Sequence, residues 1–436
     1  MSPPAPTRAT FGEVFALAEF RGLWLAQVLS VAGDQLARVA LMLLVFDRTR
    51  SPLLAAVAFA ASIVPSFVGG ITLSGLADRL PRREVMIACD LLRAALVLVM
   101  AVPGIGVGAL VALLAVVTMT SAPFASARAA LYPDILSGDR YILGTAVTLT
   151  TIQFAQVIGF AAGGAAVGFF GVRTSLLVDA GTFVVSALIT RIWVRARPQA
   201  RTRARAHQAS RAGMITGLRL VFTQRALRTP MLFGWLAAFY NVPEGVSAPL
   251  AASLGGGAVM VGLILAATAL GASVGALSFS RLVSPASRMR LTGVLAVAAC
   301  AVLILFAFHP ALPLALAILL VGGLFDCYQT GASSAFVSAT PPGQRSQAFG
   351  IAQGGLSLGQ GTAMVLAGAA AQHYSPALVI AVSGAIGTVL ALVIGFSQAR
   401  SRLLGGPGRK RGTGQPQVVV RMARLLPGRG CRRAAG

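Results

Sequence analysis

Asp34 and Arg38 stand one helical turn apart, acid before base, inside a long apolar stretch. An ionisable side chain at the centre of a membrane helix costs about 2.5–3.5 kcal/mol on insertion scales, so it needs a partner or a use. Two uses are open. The pair can neutralise itself structurally, as an i, i+4 acid–base pair does on one helix face. Alternatively, a carboxylate beside a displaceable arginine takes up and releases a proton, or holds a charged substrate. Gln27, Ser30, Asp34 and Arg38 share one narrow face at about 100° per residue, a polar stripe that points to a watered interior.

Asp179, Glu244 and Asp326 stand in similar apolar surroundings and join Asp34 and Arg38 as proton-coupling or substrate candidates. Asp326 continues into Gln329, Thr330 and Ser333. Glu244 follows Asn241 and Pro243, where a proline-broken helix frees backbone carbonyls. Gln27, Gln153, Gln156, Asn241, Gln329, Gln353 and Gln360 are the candidate lining of a cavity between these charges. Asp90 and Arg93, also one turn apart, read as a structural pair. Nothing resembles a catalytic or metal centre. His207, His309 and His373 are scattered, and Cys89, Cys300, Cys327 and Cys431 have no partner at useful spacing. No cofactor, metal or catalytic residue is therefore expected. A membrane enzyme or sensor would need an output domain, an ATP-binding loop or a side-chain constellation that the sequence does not contain.

The elements that must hold these residues are membrane helices. The chain is 56% hydrophobic and 11% charged, with mean hydropathy +0.80, whereas soluble domains carry about 25% charged residues. Blocks of the roughly 20 apolar residues needed to cross a bilayer occur at 22–46, 53–75, 85–102, 108–127, 143–170 and 174–193. After a polar gap they resume at 231–252, 260–279, 291–308, 312–337, 348–370 and 377–396. The expected fold is an all-α integral membrane protein of twelve transmembrane helices in two pseudo-symmetric six-helix halves. Its expected divisions are a cytoplasmic segment 1–21, a first bundle 22–194, a basic linker 195–229, a second bundle 230–397 and a disordered basic tail 398–436. Residues 11–20 read as an interfacial stretch. The first apolar block is too long for the core of a cleavable signal.

A net charge of +24 first suggests nucleic acid, but its placement argues against that. With a cytoplasmic N-terminus, all but five of the 36 basic residues fall on the cytoplasmic side. Arg48, Arg50 and Arg173 face the other side, and Arg38 and Arg93 lie within spans. This is the positive-inside bias of a polytopic protein, with anionic lipid rather than nucleic acid as the basic surface's partner. The cytoplasmic (inner) membrane, both termini cytoplasmic, is the expected location.

The loop "SGLADRLPRR" at 74–83 resembles the signature loop of the major facilitator superfamily. Asp78, Arg79, Arg82 and Arg83 match its charged positions, while Pro81 replaces a glycine. The resemblance implies that Asp78 latches the two halves and that Arg82 or Arg83 pairs a carboxylate such as Asp134. The equivalent loop of the second half, "SRLVSPASRMR", has no acid, so any latch is one-sided. "GFAAGG", with Gly159, Gly163 and Gly164, is similar to the antiporter motif of exporters in that superfamily, with Phe160 in place of its proline. Small residues spaced by four also simply let helices approach closely.

"FRGLWLAQVLSVAGDQLARVALMLLVFDRT" near the start, the signature loop and "ARAALYPDIL" after the fourth span together resemble the macrolide-efflux and enterobactin-exporter branch over most of the N-terminal half, although the fourth span has no charge before Arg128, where many proton-coupled drug exporters carry an arginine. The resemblance implies a monomeric, proton-driven exporter of a lipophilic drug or a natural product such as a macrolide or siderophore, working by alternating access. A nutrient importer or facilitator is the alternative. Sugar import usually relies on aromatic stacking, and only three Trp and five Tyr are present.

The charge asymmetry yields a topology prediction. A protease added outside intact cells will leave the linker at 195–211 uncut, and cutting only after permeabilisation will confirm its cytoplasmic placement.

Overall fold

The computed structural model describes residues 10–73, 80–197, 219, 221–341 and 344–404. Among them there is helix and no strand. Residues Met1–Gly395 form one compact unit and Phe396–Gly436 a second.

The chain enters through a short helix α1 (Phe11–Phe15), whose N-cap Thr10 accepts a hydrogen bond from the Glu13 amide. It continues into α2 (Ala18–Thr49). Val14 and Phe20 are fully buried and pack with Leu23, Met86 and Leu131. The stretch read as an interfacial lead-in is thus partly core, and the first long helix begins four residues before the apolar block that announces it. The reason is that Phe20 and Leu23 fall on α2's packed face although Glu19 and Arg21 interrupt the hydropathy.

Next come α3 (Pro52–Ala60) and α4 (Val64–Thr72), separated at 61–63, just ahead of Pro65 in α4's first turn, which has no N–H to continue the ladder. They are followed by α5 (Arg82–Met100), α6 (Val107–Met119) and α7 (Ser121–Ile135). The 55-residue α8 (Asp139–Trp193) holds the fifth and sixth apolar blocks together. It breaks at Gly171, whose φ of 80° only glycine adopts cheaply.

In the second half, helix is already present at 221–223, inside the stretch read as linker, and resumes at Arg225. It runs in four pieces: α9 (Arg225–Trp235), α10 (Ala237–Tyr240), α11 (Val242–Gly245) and α12 (Ser247–Ser253). Then follow α13 (Ala258–Leu282), α14 (Pro285–Ala301) with a 3-10 extension Val302–Phe308, α15 (Leu312–Phe325), α16 (Tyr328–Ala339), α17 (Arg345–Ala370) and α18 (Pro376–Leu404). The last helix runs seven residues past the expected tail boundary. The linker core at 198–218 and the tail from 405 lie outside the described residues.

Among the described residues eight helical stretches are long and apolar enough to cross a membrane, α8 counting once although it breaks at Gly171. Three other apolar blocks fall short for identifiable reasons. Helix α5 carries Asp90 and Arg93 beside its charged start, α9–α12 is fragmented, and α17 is diluted by glycine and glutamine.

Lipid tails are as apolar as the helices, so close van der Waals packing at small residues drives association here. At Gly33 on α2 an added Cβ would overlap the carboxyl of Asp179 and the hydroxyl of Thr182. Gly271 and Gly275 on α13 meet the backbone of Leu320, Gly323 and Leu324 on α15 in the same way.

On the face where α1 begins, the first half is tied by ion pairs. Arg140–Glu13 at 3.2 Å, Arg197–Glu19 at 2.6 Å and Arg191–Glu84 at 3.7 Å join successive helix ends. Exposed pairs of this kind contribute at most about 1 kcal/mol each.

Gly33→Val will therefore cost about 1–3 kcal/mol through overpacking against α8. A lower thermal midpoint in detergent will show it. Gly181→Ala, where a Cβ meets nothing within 4 Å, will leave the midpoint unchanged.

Candidate functional site

Arg38 is the hinge point of the charges. It lies on the unbroken α2, four residues after Asp34, yet the two side chains make no ion pair within 4.0 Å. Its Nη2 instead donates to the Ser62 carbonyl at 3.2 Å, in the break between α3 and α4. From there its charge acts on Asp34 and on Glu244 of the second half. Glu244 sits in the four-residue α11 beside Pro243, so the broken seventh block is what places it. Asp326 occupies the break between α15 and α16. It lies next to the Tyr240 hydroxyl and acts on Glu244. The folding thus brings four of the five sequence-chosen charges, Asp34, Arg38, Glu244 and Asp326, to the junction of the halves. Asn241 Oδ1 and Asp326 Oδ1 are buried there without a hydrogen-bond donor.

Asp179, the fifth, is elsewhere. It is 0% exposed, packed against α2 at Gly33, and belongs to the interior of the first half. There Asp90 and Arg93 form the expected structural pair, and Arg93 is in addition a hub. Its Nε donates to Thr120 Oγ1 at 3.1 Å and its Nη1 to Ser30 Oγ at 3.3 Å. Asp90 Oδ1 lies 3.6 Å away, and the rings of Phe124 and Phe183 lie 5.1 and 5.4 Å from the guanidinium carbon. Asp90 Oδ2 accepts from Ser186 Oγ at 2.7 Å. Sequence spacing detects the i, i+3 pair; the residues on three other helices are invisible to it.

The amides divide. Gln27 is buried with its Oε1 unpartnered, Gln153, Gln156 and Gln360 are half-buried, and Gln353 is exposed. Gln329 donates to the Gly234 carbonyl at 3.1 Å, tying α16 to α9.

In the signature loop, Asp78 and Arg79 lie outside the described residues. Arg82 pairs with Asp134 at 2.5 Å and also donates to the Ala130 carbonyl at 2.8 Å, joining α5 to α7 within one half. Arg83 donates to the Arg191 carbonyl. In the second half Arg288 caps the end of α13 by donating to the carbonyls of Ser280 and Val283 at 2.8 and 3.1 Å.

The glycines of "GFAAGG" serve two interfaces. Cβ atoms at Gly159 and Gly163 would come within 3.0 Å of Gln35 and 3.1 Å of Leu36 on α2, in the same half. At Gly164 a Cβ would come within 2.6 Å of Gly262 Cα on α13, in the other half. A second seam runs along α17, where Gly354, Gly361 and Gly368 recur every seven residues and face Phe67, Val64 and Pro52 of α3 and α4. That period keeps all three on one side of a helix. It was legible in the sequence, unlike the pairing of Gly164 with Gly262. Beyond these seams Gln372 Nε2 donates to Ser51 Oγ at 3.1 Å, and Ser247 Oγ lies 3.5 Å from Met42 Sδ.

Two helical halves, joined by small-residue seams and sharing charges at their junction, match a known family. The family model of the Major Facilitator Superfamily matches residues 23–244 and 245–425. The chain belongs to the Major Facilitator Superfamily. It is a multi-pass membrane transporter and not an enzyme. Among curated proteins it is similar to the multidrug efflux pump Tap of Mycolicibacterium fortuitum, 29% identical over 305 residues, which are 67% of this chain and 74% of that protein. Among solved structures it shares its fold with a POT family transporter in complex with 5-aminolevulinic acid. The TM-score is 0.70 at 12% identity, over 91% of this chain and 98% of the other. A mutant of the nucleoside transporter NupG gives 0.66 at 15%, over 88% and 99%.

The seam between halves gives the next prediction. Gly164→Val and Gly262→Val will each reduce transport by about tenfold or more, the rate equivalent of a packing penalty above about 1.4 kcal/mol. Cell accumulation assays at matched expression will read it, with Gly181→Ala as the unaffected control.

Proposed function

We propose that this transporter is a proton-coupled exporter of a small lipophilic compound, with twelve crossings and both termini in the cytoplasm. The observation that carries this reading is the shared arginine. Asp34 and Arg38 ride on one helix, so rocking of the halves leaves their separation nearly constant. Glu244 belongs to the other half, so the same motion brings it to Arg38 or takes it away. An arginine beside a carboxylate favours its ionised form, and withdrawal favours proton uptake. A ligand shifts a conformational equilibrium only through such a difference in affinity between states. Competition of Asp34 and Glu244 for Arg38 therefore links protonation to the orientation of the halves, with Asp326 as the neighbouring acid.

Two features support export. The relative at 29% identity is named a multidrug efflux pump, and the glycine stripe resembles that of antiporters. The lipophilic class of substrate fits a junction built from apolar helix faces with a few charges. Macrolides and siderophores are within that class. The basic face would rest on anionic lipid.

In proteoliposomes, Asp34→Asn and Glu244→Gln will each abolish proton-driven accumulation of substrate while sparing passive exchange. If either variant still concentrates substrate like the unaltered protein, competition for Arg38 is not the coupling step.

A further inference from the structure

Asp179 is a fully buried carboxyl with no ion pair among the described residues. Its Oδ2 has no hydrogen-bond partner. Its Oδ1 has only the Thr182 hydroxyl at 3.4 Å, and that hydroxyl is better placed on the Asp179 carbonyl at 2.8 Å. Burying an ionised carboxylate in this condition costs several kcal/mol. The charges that reach it are those of Asp34, on α2, and Arg93, on α5. Arg93 is immobilised by Thr120, Ser30, Asp90 and two aromatic rings, whereas Arg38 has one carbonyl contact. The two arginines thus differ in kind: one is a fixed charge and the other is free to change partners.

Charge counting points the same way. The interior holds five acids, Asp34, Asp90, Asp179, Glu244 and Asp326, against Arg38, Arg93 and the half-buried Arg128 of α7. Neutrality in hydrocarbon then requires bound protons, and Asp179, fully buried with no ion pair among the described residues, is where one belongs.

We propose that Asp179 holds a proton in this arrangement and exchanges it with Asp34 past the bare α2 backbone at Gly33, with Arg93, pinned by Asp90, as the positioning residue for the exchange. In the transfer an O–H bond breaks on Asp179 and one forms on Asp34, so the negative charge moves from Asp34 to Asp179 while Arg93 stays close to both. The absence of a Cβ at Gly33 is what lets the Asp179 carboxyl reach the α2 backbone beside Asp34. The first half would in this way carry a proton store of its own, apart from the junction where Arg38 changes partners. The inference rests on the proton-coupled reading, but its first test does not involve transport.

Infrared difference spectroscopy on the full chain in lipid detects protonated carboxyls through a C=O band that shifts on H/D exchange. The expected band survives in Glu244→Gln/Asp326→Asn and is lost in Asp179→Asn. Arg93→Gln will move the pH at which the band disappears, and Arg93→Lys will restore it, which a purely structural arginine would not do. In proteoliposomes Asp179→Asn will lower proton-driven accumulation by about tenfold or more with exchange retained. A band absent from the unaltered protein, or one that vanishes in Glu244→Gln/Asp326→Asn, overturns the proposal even if Asp179→Asn fails to fold. A band confined to Asp179 with proton-driven accumulation unaffected by its loss overturns the exchange with Asp34 and leaves the proton-coupled reading standing.

Discussion

A charge inside hydrocarbon must find its compensation within the protein, and the interior of this transporter is arranged around that constraint. Water cannot solvate Asp90 or Asp179, both 0% exposed. Every hydroxyl, ring and guanidinium near them therefore has a structural consequence. Arg93 ties α5 to α2 and to the α6–α7 junction through its hydrogen bonds to Ser30 and Thr120, and to α7 and α8 through the rings of Phe124 and Phe183. Arg38, with fewer contacts, faces the second half. The contrast between a rigid arginine and a loosely held one separates a part of the bundle that keeps its shape from a part able to change its pairing.

Glycine supplies the complementary constraint. Helices in lipid gain nothing from hiding apolar surface, so they need intimate contact, and intimate contact needs missing side chains. The stripe on α8 faces α2 at Gly159 and Gly163 and α13 at Gly164. One helix thereby bonds within its own half and across to the other. On α17 the seven-residue glycine spacing leaves hollows that receive Phe67, Val64 and Ala56 of α3 and α4. The seam at Gly164 and Gly262, where backbone meets backbone, presents few interlocking side chains to disengage, which suits two bodies that must move against each other.

The helix breaks carry the remaining burden. Glu244 and Asp326 lie where helices stop and restart, Glu244 beside Pro243 and Asp326 between α15 and α16. Asp34, by contrast, lies in an uninterrupted helix of 32 residues. The first half therefore offers its acid on a rigid rod, and the second half offers its acids on short segments with local freedom. This asymmetry accompanies the absence of an acid from the second half's loop at 280–290, where Arg288 caps a helix instead of pairing with a carboxylate.

Hydropathy alone determined that the chain is helical and membrane-spanning, because a bilayer accepts little besides apolar helices and their length is set by its thickness. The intramembrane charges were equally plain, since Asp or Arg in such blocks has no other explanation than a partner or a task. Boundaries were not plain at Phe20 and Leu23, where polar neighbours mask a buried face, or at 221–228, where helix is present before the apolar run. Tertiary structure alone decided who meets whom. That Asp179 presses on Gly33 and that Gly164 crosses Gly262 are contacts between distant segments, and the electrostatic influence of Arg38 on Glu244 likewise joins positions about two hundred residues apart. Periodicity along one helix says which way a side chain points but not what it points at, because the partner depends on how separate helices pack in three dimensions.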